Sequence, residues 1–328
     1  MKRWSIRLLL AVFCWLVTVV HSPAPLIYQP GEGWSYEALG GEGKWQRTRA
    51  KDQLEVARTA LEKKDFSTAL KAARRTVRIW PLSDYAPEAQ YIVARCYEEK
   101  GNDERAFKEY QKVVERYPRI SLFQEVLQRQ FNIANKYLAG KWFRIFGYIP
   151  AYPSMEKTVG MFTKIVQTGP YSSVAPAAQL KIGAAREKQK NYPEAVRAYE
   201  RAADRYNDRP AIAADATFKA GMAYYKEAKT AEYDQSAAAS AIATFTDFVT
   251  LHPQDQRVKE AQNLMEELRA EQARGSFEIA RFYEKKRKIR GALIYYNEVL
   301  LLDPTSKYAN DSRKRIDQLK ARLGADTK

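Results

Sequence analysis

The most informative stretch of the sequence is AFKEYQKVVERYP, residues 106–118. Ala106, Tyr110 and Val113 recur at helical spacing, and Pro118 stands twelve residues after Ala106. Apolar residues at i, i+4 and i+7 form one face of an α-helix. Because proline cannot continue a helix, the stretch predicts an amphipathic helix that ends near Pro118.

The same spacing recurs along the chain. Three more alanines stand twelve residues before a proline: Ala69 before Pro81, Ala241 before Pro253, and Ala292 before Pro304. Two looser copies are Thr158 with Phe162, Ile165 and Pro170, and Ala195 with Tyr199, Ala202 and Asn207. Each copy predicts the end of the second helix of a repeat.

A small residue followed by an aromatic residue marks the first helix of each pair. The examples are Ala94 with Tyr97, Ala134 with Tyr137, Gly221 with Tyr224, and Ala280 with Tyr283. Small residues let two antiparallel helices cross closely, and the aromatic ring fills the space beside them. The pattern predicts an all-α fold, a tetratricopeptide-like right-handed solenoid of about six helix pairs. A polar helix over residues 313–323 is expected to cap the solenoid.

Two intervals between the repeats are longer than the others and indicate insertions. The domain organisation that follows is a signal peptide at 1–24, an extended tether at 25–49, a solenoid at 50–323 with insertions at 141–154 and 228–236, and a tail at 324–328. The signal peptide is predicted from Lys2, Arg3 and Arg7 followed by the uncharged run 8–20. The thirteen residues of this uncharged run are fewer than the roughly 20 apolar residues that a spanning helix needs. We therefore expect an exported chain.

Composition excludes several classes of enzyme. The 328 residues include two histidines, His21 and His252, and two cysteines, Cys14 and Cys96. These residues are too few to supply the ligands of a zinc site or the catalytic residues of a Ser/His/Asp triad or a Cys/His dyad. We therefore expect neither a metal nor a cofactor. A hydrolase built on Asp/Glu pairs is disfavoured because the helical carboxylates have Lys and Arg neighbours.

The chain is basic, with 55 Lys and Arg against 39 Asp and Glu and a net charge of +16. Such a charge predicts attraction to acidic surfaces, which nucleic acid, anionic lipid and protein can all provide. We expect no nucleic-acid partner, because no stacking platform, zinc finger or glycine loop accompanies the charge and export removes that substrate.

Cys14 is the candidate lipidation site. A lipidation signal has small residues just before the cysteine, whereas Val12 and Phe13 precede Cys14. The alternative is that Cys14 belongs to the hydrophobic part of the signal peptide and is removed with it.

Several motifs over residues 50–323 go beyond the repeat spacing. They are Tyr117-Pro118, Leu251-His252-Pro253, Gly147-Tyr148-Ile149-Pro150, Glu232-Tyr233-Asp234-Gln235, and Arg281-Phe282-Tyr283 with residues 291–296, GALIYY. Together they resemble the BamD family of periplasmic lipoproteins that assemble outer-membrane β-barrels. The resemblance implies a non-enzymatic scaffold subunit on the periplasmic side of the outer membrane. Its implied partners are the barrel-forming subunit with its periplasmic domains and unfolded outer-membrane protein segments. The alternative is a generic exported tetratricopeptide adaptor in a cell-wall or Tol-type envelope complex.

The first helices of such repeats line a concave surface on which peptides can lie. Helical register selects the candidate partner-binding residues Tyr91, Arg95, Asn135, Tyr225 and Arg281. Three phenylalanines fall on the same register, Phe131, Phe218 and Phe277, and we expect each to be half-buried between neighbouring repeats.

The insertion at 141–154 is too apolar for a freely solvated loop. Its aromatic residues are the second set of partner-binding candidates: Trp142, Phe143, Phe146, Tyr148 and Tyr152. Two hypotheses remain at this point. The insertion docks on a partner or on the membrane surface, or it packs back into the groove of the solenoid.

Overall fold

The structure is a computed structural model that describes residues 26–31, 33–36, 43–145, 149–230 and 235–326. The chain divides into two compact units, residues 1–126 and residues 127–328. Each unit is built from helices that pack on the helices next to them in sequence.

The first unit begins with an antiparallel hairpin of β1 (Leu26–Gln29) and β2 (Gly33–Tyr36), which lies within the segment expected to be an extended tether. Its helices are α1 (Ala50–Glu62), α2 (Phe66–Ile79), α3 (Ala86–Glu99) and α4 (Asp103–Arg116). Each of these helices packs on the next. Helix α5 (Phe123–Leu138) begins in this unit and continues into the second.

The second unit continues with a hairpin and eight helices. These elements are β3 (Phe143–Ile145), β4 (Ile149–Tyr152), α6 (Met155–Thr168), α7 (Ala175–Lys188), α8 (Tyr192–Arg205), α9 (Pro210–Thr230), α10 (Gln235–Leu251), α11 (Val258–Lys285), α12 (Ile289–Leu302) and α13 (Lys307–Asp326). From α6 to α13, each helix packs on the one that follows it.

The predicted helix pairs are confirmed. The second helices are α2, α4, α6, α8, α10 and α12, and each ends two residues before its predicted Pro or Asn. Helix α13 follows the sixth pair and begins at Lys307, six residues before the expected cap. The part of the chain that the structure describes is therefore all-α apart from two short hairpins, and its repeats are tetratricopeptide-like.

Small residues stand where the helices of a pair cross. Ala69, Ala106, Ala195, Ala241 and Ala292 are all fully buried. Overpacking at such a close crossing costs stability, which explains why the position that identifies the repeat in the sequence is small.

A tyrosine twelve residues after a glutamate joins the two helices in three of the pairs. The hydroxyl of Tyr110 donates to Glu98 at 2.5 Å, that of Tyr199 to Glu187 at 2.6 Å, and that of Tyr296 to Glu284 at 2.7 Å. All three rings are buried. Burial and the neighbouring carboxylate raise the pKa of Tyr199 and of Tyr296. A buried hydroxyl needs a partner, and the glutamate supplies it.

The turn between the two helices of a pair also repeats. The first helix is followed by a residue with positive φ, and these residues are Lys64, Gly101, Gly140, Lys190 and Arg287. In four of these turns the next residue is the N-cap of the second helix, and these N-caps are Asp65, Asn102, Asn191 and Lys288. The backbone of this turn is therefore constant while its side chains vary.

Candidate interaction surfaces

The insertion at 141–154 forms a short hairpin that is attached to helix α5. Phe143 is 2% exposed and stacks on Tyr137, with ring centroids 4.2 Å apart and planes inclined by 22°. The Nζ atom of Lys157, on α6, lies 5.0 Å from the Phe143 ring centroid and 5.2 Å from that of Tyr152. Such contacts between a cation and an aromatic face are attractive. They hold both strands of the hairpin to the neighbouring helices.

Two aromatic side chains of the insertion remain open to solvent. Trp142 is 54% exposed and Tyr152 is 48% exposed. Phe146 and Tyr148, the other two candidates from the insertion, lie outside the described residues. The hairpin therefore combines a buried anchor, Phe143, with an apolar surface that a partner could cover.

Tyr91 and Arg95, the candidates on α3, belong to a chain of hydrogen bonds in the first unit. The hydroxyl of Tyr91, which is 7% exposed, donates to Glu125 in the first turn of α5. Arg95 lies 3.4 Å from that hydroxyl through Nη1 and pairs with Glu99 through Nη2 at 3.0 Å. Tyr91 thus acts in packing here, whereas part of the Arg95 side chain reaches solvent.

Asn135 is half-buried on α5. One turn before it, Phe131 is also half-buried and meets Phe162 edge-on at 5.8 Å. The other two phenylalanines of the register are packed as well. Phe218 is buried against Phe245 and Phe248, and Phe277 contacts Tyr296 and Tyr308.

Tyr225, on α9, takes part in an exposed polar cluster with α11. Its hydroxyl donates to Glu267 at 3.0 Å, and Lys229 lies 2.5 Å from the same carboxylate. The Lys229 ammonium also stands 5.4 Å from the Tyr225 ring centroid. The hydrogen bond from Lys229 lowers the pKa of Glu267, and burial together with Glu267 raises the pKa of Tyr225. The cluster links the fifth repeat to the sixth.

Arg281 is the most open of the concave-face candidates. Its side chain is 62% exposed and lies 3.6 Å from Glu278 on the same helix. An ion pair at this exposure contributes little to stability.

A cluster around Arg257 was not expected from the sequence. The guanidinium contacts Asp215 at 2.8 Å and Asp255 at 2.8 Å, and its Cζ lies 4.7 Å from the Phe218 ring centroid. The hydrogen bond from Arg257 lowers the pKa of Asp255 to about 2. Because Asp215 stands 42 residues before Arg257, no local pattern reveals the contact. Asp255 and Arg257, two residues apart, were the available local signal of this cluster.

The two cysteines remain to be placed, Cys14, which is the candidate lipidation site, and Cys96. Cys14 lies outside the described residues. Cys96 is buried, and desolvation raises the pKa of its thiol to about 11, which keeps it protonated and unreactive at neutral pH.

Within the described ranges, no cluster of His, Cys, Asp and Glu could hold a metal ion. No helix in those ranges is long and apolar enough to cross a membrane.

These repeats and surfaces define a tetratricopeptide-repeat scaffold for protein interactions. Residues 88–119 match a tetratricopeptide repeat model, and residues 151–302 match the model of the YfiO family, described as outer membrane lipoprotein. Residues 151–302 are thus YfiO-like, and the resemblance to the BamD family is confirmed. The outer-membrane description implies a location in the cell envelope.

Solved structures of tetratricopeptide proteins are similar to the chain. The C-terminal part of a repeat-containing protein from Cytophaga hutchinsonii has 16% identity, covers 80% of this chain and 87% of its own, and has a TM-score of 0.36. PilF of Pseudomonas aeruginosa has 14% identity, coverages of 81% and 96%, and a TM-score of 0.30. A protein from Parabacteroides merdae has 11% identity, coverages of 81% and 98%, and a TM-score of 0.33. No curated protein sequence matches the chain.

Proposed function

We propose that the chain is a non-enzymatic scaffold subunit of the machinery that assembles outer-membrane β-barrel proteins. In this role it binds the periplasmic domains of the barrel-forming subunit and segments of unfolded outer-membrane proteins. The signal peptide at 1–24 exports it to the periplasmic side of the outer membrane. The match of residues 151–302 to the YfiO family is the observation that carries this proposal.

The hairpin supports a docking role for the insertion. The YfiO match begins at residue 151, inside this hairpin, and Phe143 anchors the hairpin while Trp142 and Tyr152 stay exposed. Aromatic side chains held rigidly at a surface are typical hot spots of protein interfaces, because little conformational entropy is lost when they are covered. We assign Trp142 and Tyr152 to partner binding, together with the exposed Arg281.

The test is a pull-down from envelope extracts with the wild type and with the double variant Trp142→Ser/Tyr152→Ser. The wild type should capture the barrel-forming subunit. Because truncating an interface hot spot costs about 2 kcal/mol or more, the double variant should capture at least about tenfold less. Its thermal stability should change little, since exposed substitutions usually stay within about 0.5 kcal/mol.

A matched control removes two large exposed side chains elsewhere. Leu82 is 95% exposed and Tyr171 is 87% exposed, and Leu82→Ser/Tyr171→Ser should capture the partner as the wild type does. Unchanged capture by the hairpin variant would disprove the docking role of the hairpin. If depletion of the protein leaves outer-membrane barrels at normal levels, the barrel-assembly role is wrong and the generic adaptor remains.

A further inference from the structure

The turn between α11 and α12 departs from its counterparts at the N-cap. Asp65, Asn102 and Asn191 each accept a hydrogen bond from the backbone N–H three residues later. Lys288 occupies the same position with φ −90° and ψ 73°, close to the −91° and 75° of Asn191, but its side chain forms no cap. A lysine side chain carries no acceptor, so a backbone N–H in the first turn of α12 lacks the side-chain oxygen to which it would donate in the other turns.

The residue before the N-cap also has a strained backbone. Arg287 has φ +54°, much like Lys64 with φ +58° and Lys190 with φ +57°, whereas Gly101 fills this position with φ +70° in the second repeat. Left-handed backbone disfavours any residue with a Cβ, and glycine is the residue that relieves it. Arg287 and Lys288 therefore both reduce local stability. The departure at Lys288 from the capping residues of the other turns marks a position that serves something other than the stability of the turn.

What the two residues contribute is positive charge. Five cations stand in six residues, and we name residues 285–290 the basic turn: Lys285, Lys286, Arg287, Lys288 and Arg290. All five are exposed, and in the part of the chain that the structure describes none forms an ion pair. The nearest carboxylate in sequence, Glu284, accepts a hydrogen bond from Tyr296 and lies 3.6 Å from Arg315.

An exposed aromatic side chain accompanies these charges. Phe282 is 57% exposed, one turn before the end of α11, and the Nζ atom of Lys286 stands 5.8 Å from its ring centroid. Basic side chains around an exposed apolar group are the combination that binds a membrane surface. The charges meet anionic headgroups, and the apolar group enters the interface.

We propose that the basic turn, with Phe282, binds the anionic phospholipid headgroups of a membrane surface. Three of its five cations are lysines, whose flexible point charges suit mobile headgroups better than the fixed geometry of a carboxylate fork. The turn also lies inside residues 151–302, the segment that matches an outer membrane lipoprotein model. The proposal does not depend on the barrel-assembly role, because purified protein and lipid test it.

The experiment measures sedimentation of the full chain with two kinds of vesicle, phosphatidylcholine alone and phosphatidylcholine with phosphatidylglycerol. The readout is the preference of the protein for the anionic vesicles. Apolar contacts with the bilayer contribute equally to binding of both kinds of vesicle and therefore cancel in this preference. The wild type should prefer phosphatidylglycerol, and added salt should weaken the preference. Arg287→Gly/Lys288→Asn introduces the glycine and the asparagine cap found at Gly101 and Asn102, so the variant should melt at a higher temperature and yet lose the preference for anionic vesicles at least about tenfold.

The matched control is Lys63→Asn/Lys64→Gly, which removes two charges from the equivalent turn of the first repeat, where Lys64 has φ +58°. It should keep the preference, whereas Phe282→Ser should weaken binding to the anionic vesicles without a change of charge. If the control lost the preference for anionic vesicles to the same extent, net charge alone would drive binding, and the proposal would be wrong. Retained preference in Arg287→Gly/Lys288→Asn would also overturn it. So would binding of polyglutamate without any lipid preference, which would assign the turn to an acidic protein partner.

Discussion

Gly183 and Tyr199 face each other across helices α7 and α8 with no space for a Cβ between them. A Cβ on Gly183 would collide with the Cδ1, Cε1 and Cζ atoms of the Tyr199 ring. The ring cannot move away easily, because it is buried and its hydroxyl is held by Glu187. This contact sets how closely the two helices of the fourth repeat approach.

We predict that Gly183→Ala destabilises the protein by about 1–3 kcal/mol through overpacking, despite the better helix propensity of alanine. Gly160→Ala is the control, because Gly160 lies in helix α6 and nothing stands within 4 Å of its added Cβ. Alanine there should stabilise the protein by about 0.5–1 kcal/mol. Urea unfolding of both variants checks the signs, and a neutral Gly183→Ala would contradict the close approach.

The left-handed turn residues supply a second prediction. Lys190 has φ +57°, and Gly101 has φ +70° with nothing within 4 Å of an added Cβ. Lys190→Gly should therefore stabilise the protein and Gly101→Ala should destabilise it, each by about 1 kcal/mol. Opposite shifts of the melting temperature confirm that backbone strain, rather than side-chain contact, governs this position.

The helix pairs could be predicted because their signals are local. Ala106 and Pro118 lie twelve residues apart, within one helix and its end, and helix α4 ends at Arg116, two residues before that proline. Propensity, spacing and the missing N–H of proline all act over this short distance.

The interaction surfaces could be predicted only in part, because they depend on contacts between distant residues. The aromatic content of the insertion indicated that something there is buried, but the sequence did not separate Phe143, which stacks on Tyr137, from Trp142, which is exposed. The β3–β4 hairpin has strands of three and four residues, too short for a period of two to be recognised. The departure at Lys288 emerges only when the N-caps of these turns are compared in three dimensions.

The hairpin yields a third prediction, which separates its anchor from its surface. Phe143→Ala should destabilise the second unit by about 3–5 kcal/mol, because it empties a buried site beneath Lys157 and beside Tyr137. Trp142→Ala, at the neighbouring exposed residue, should change stability by less than about 0.5 kcal/mol. Thermal melts of the two variants provide the comparison. Similar losses would show that Trp142 is packed rather than exposed.

The last prediction uses pH to measure the Arg257 cluster. The hydrogen bond from Arg257 lowers the pKa of Asp255 from 3.8 to about 2. A carboxyl group with a depressed pKa in the folded state stabilises the protein fully above its unfolded pKa, and that stabilisation is lost as the pH falls towards the folded value. We therefore expect Asp255→Asn to be less stable than the wild type at pH 7. The difference should shrink between about pH 4 and pH 2, as the carboxyl group becomes protonated in the wild type.

The control for this experiment is Asp208→Asn, because Asp208 is 71% exposed and its nearest cation, Arg209, lies 4.0 Å away. An exposed pair of this kind contributes little, so the control should unfold like the wild type at every pH. Urea unfolding at several pH values measures both differences. If the Asp255→Asn difference stays constant from pH 7 to pH 2, the lost stability comes from packing and not from the ionised carboxylate beside Arg257.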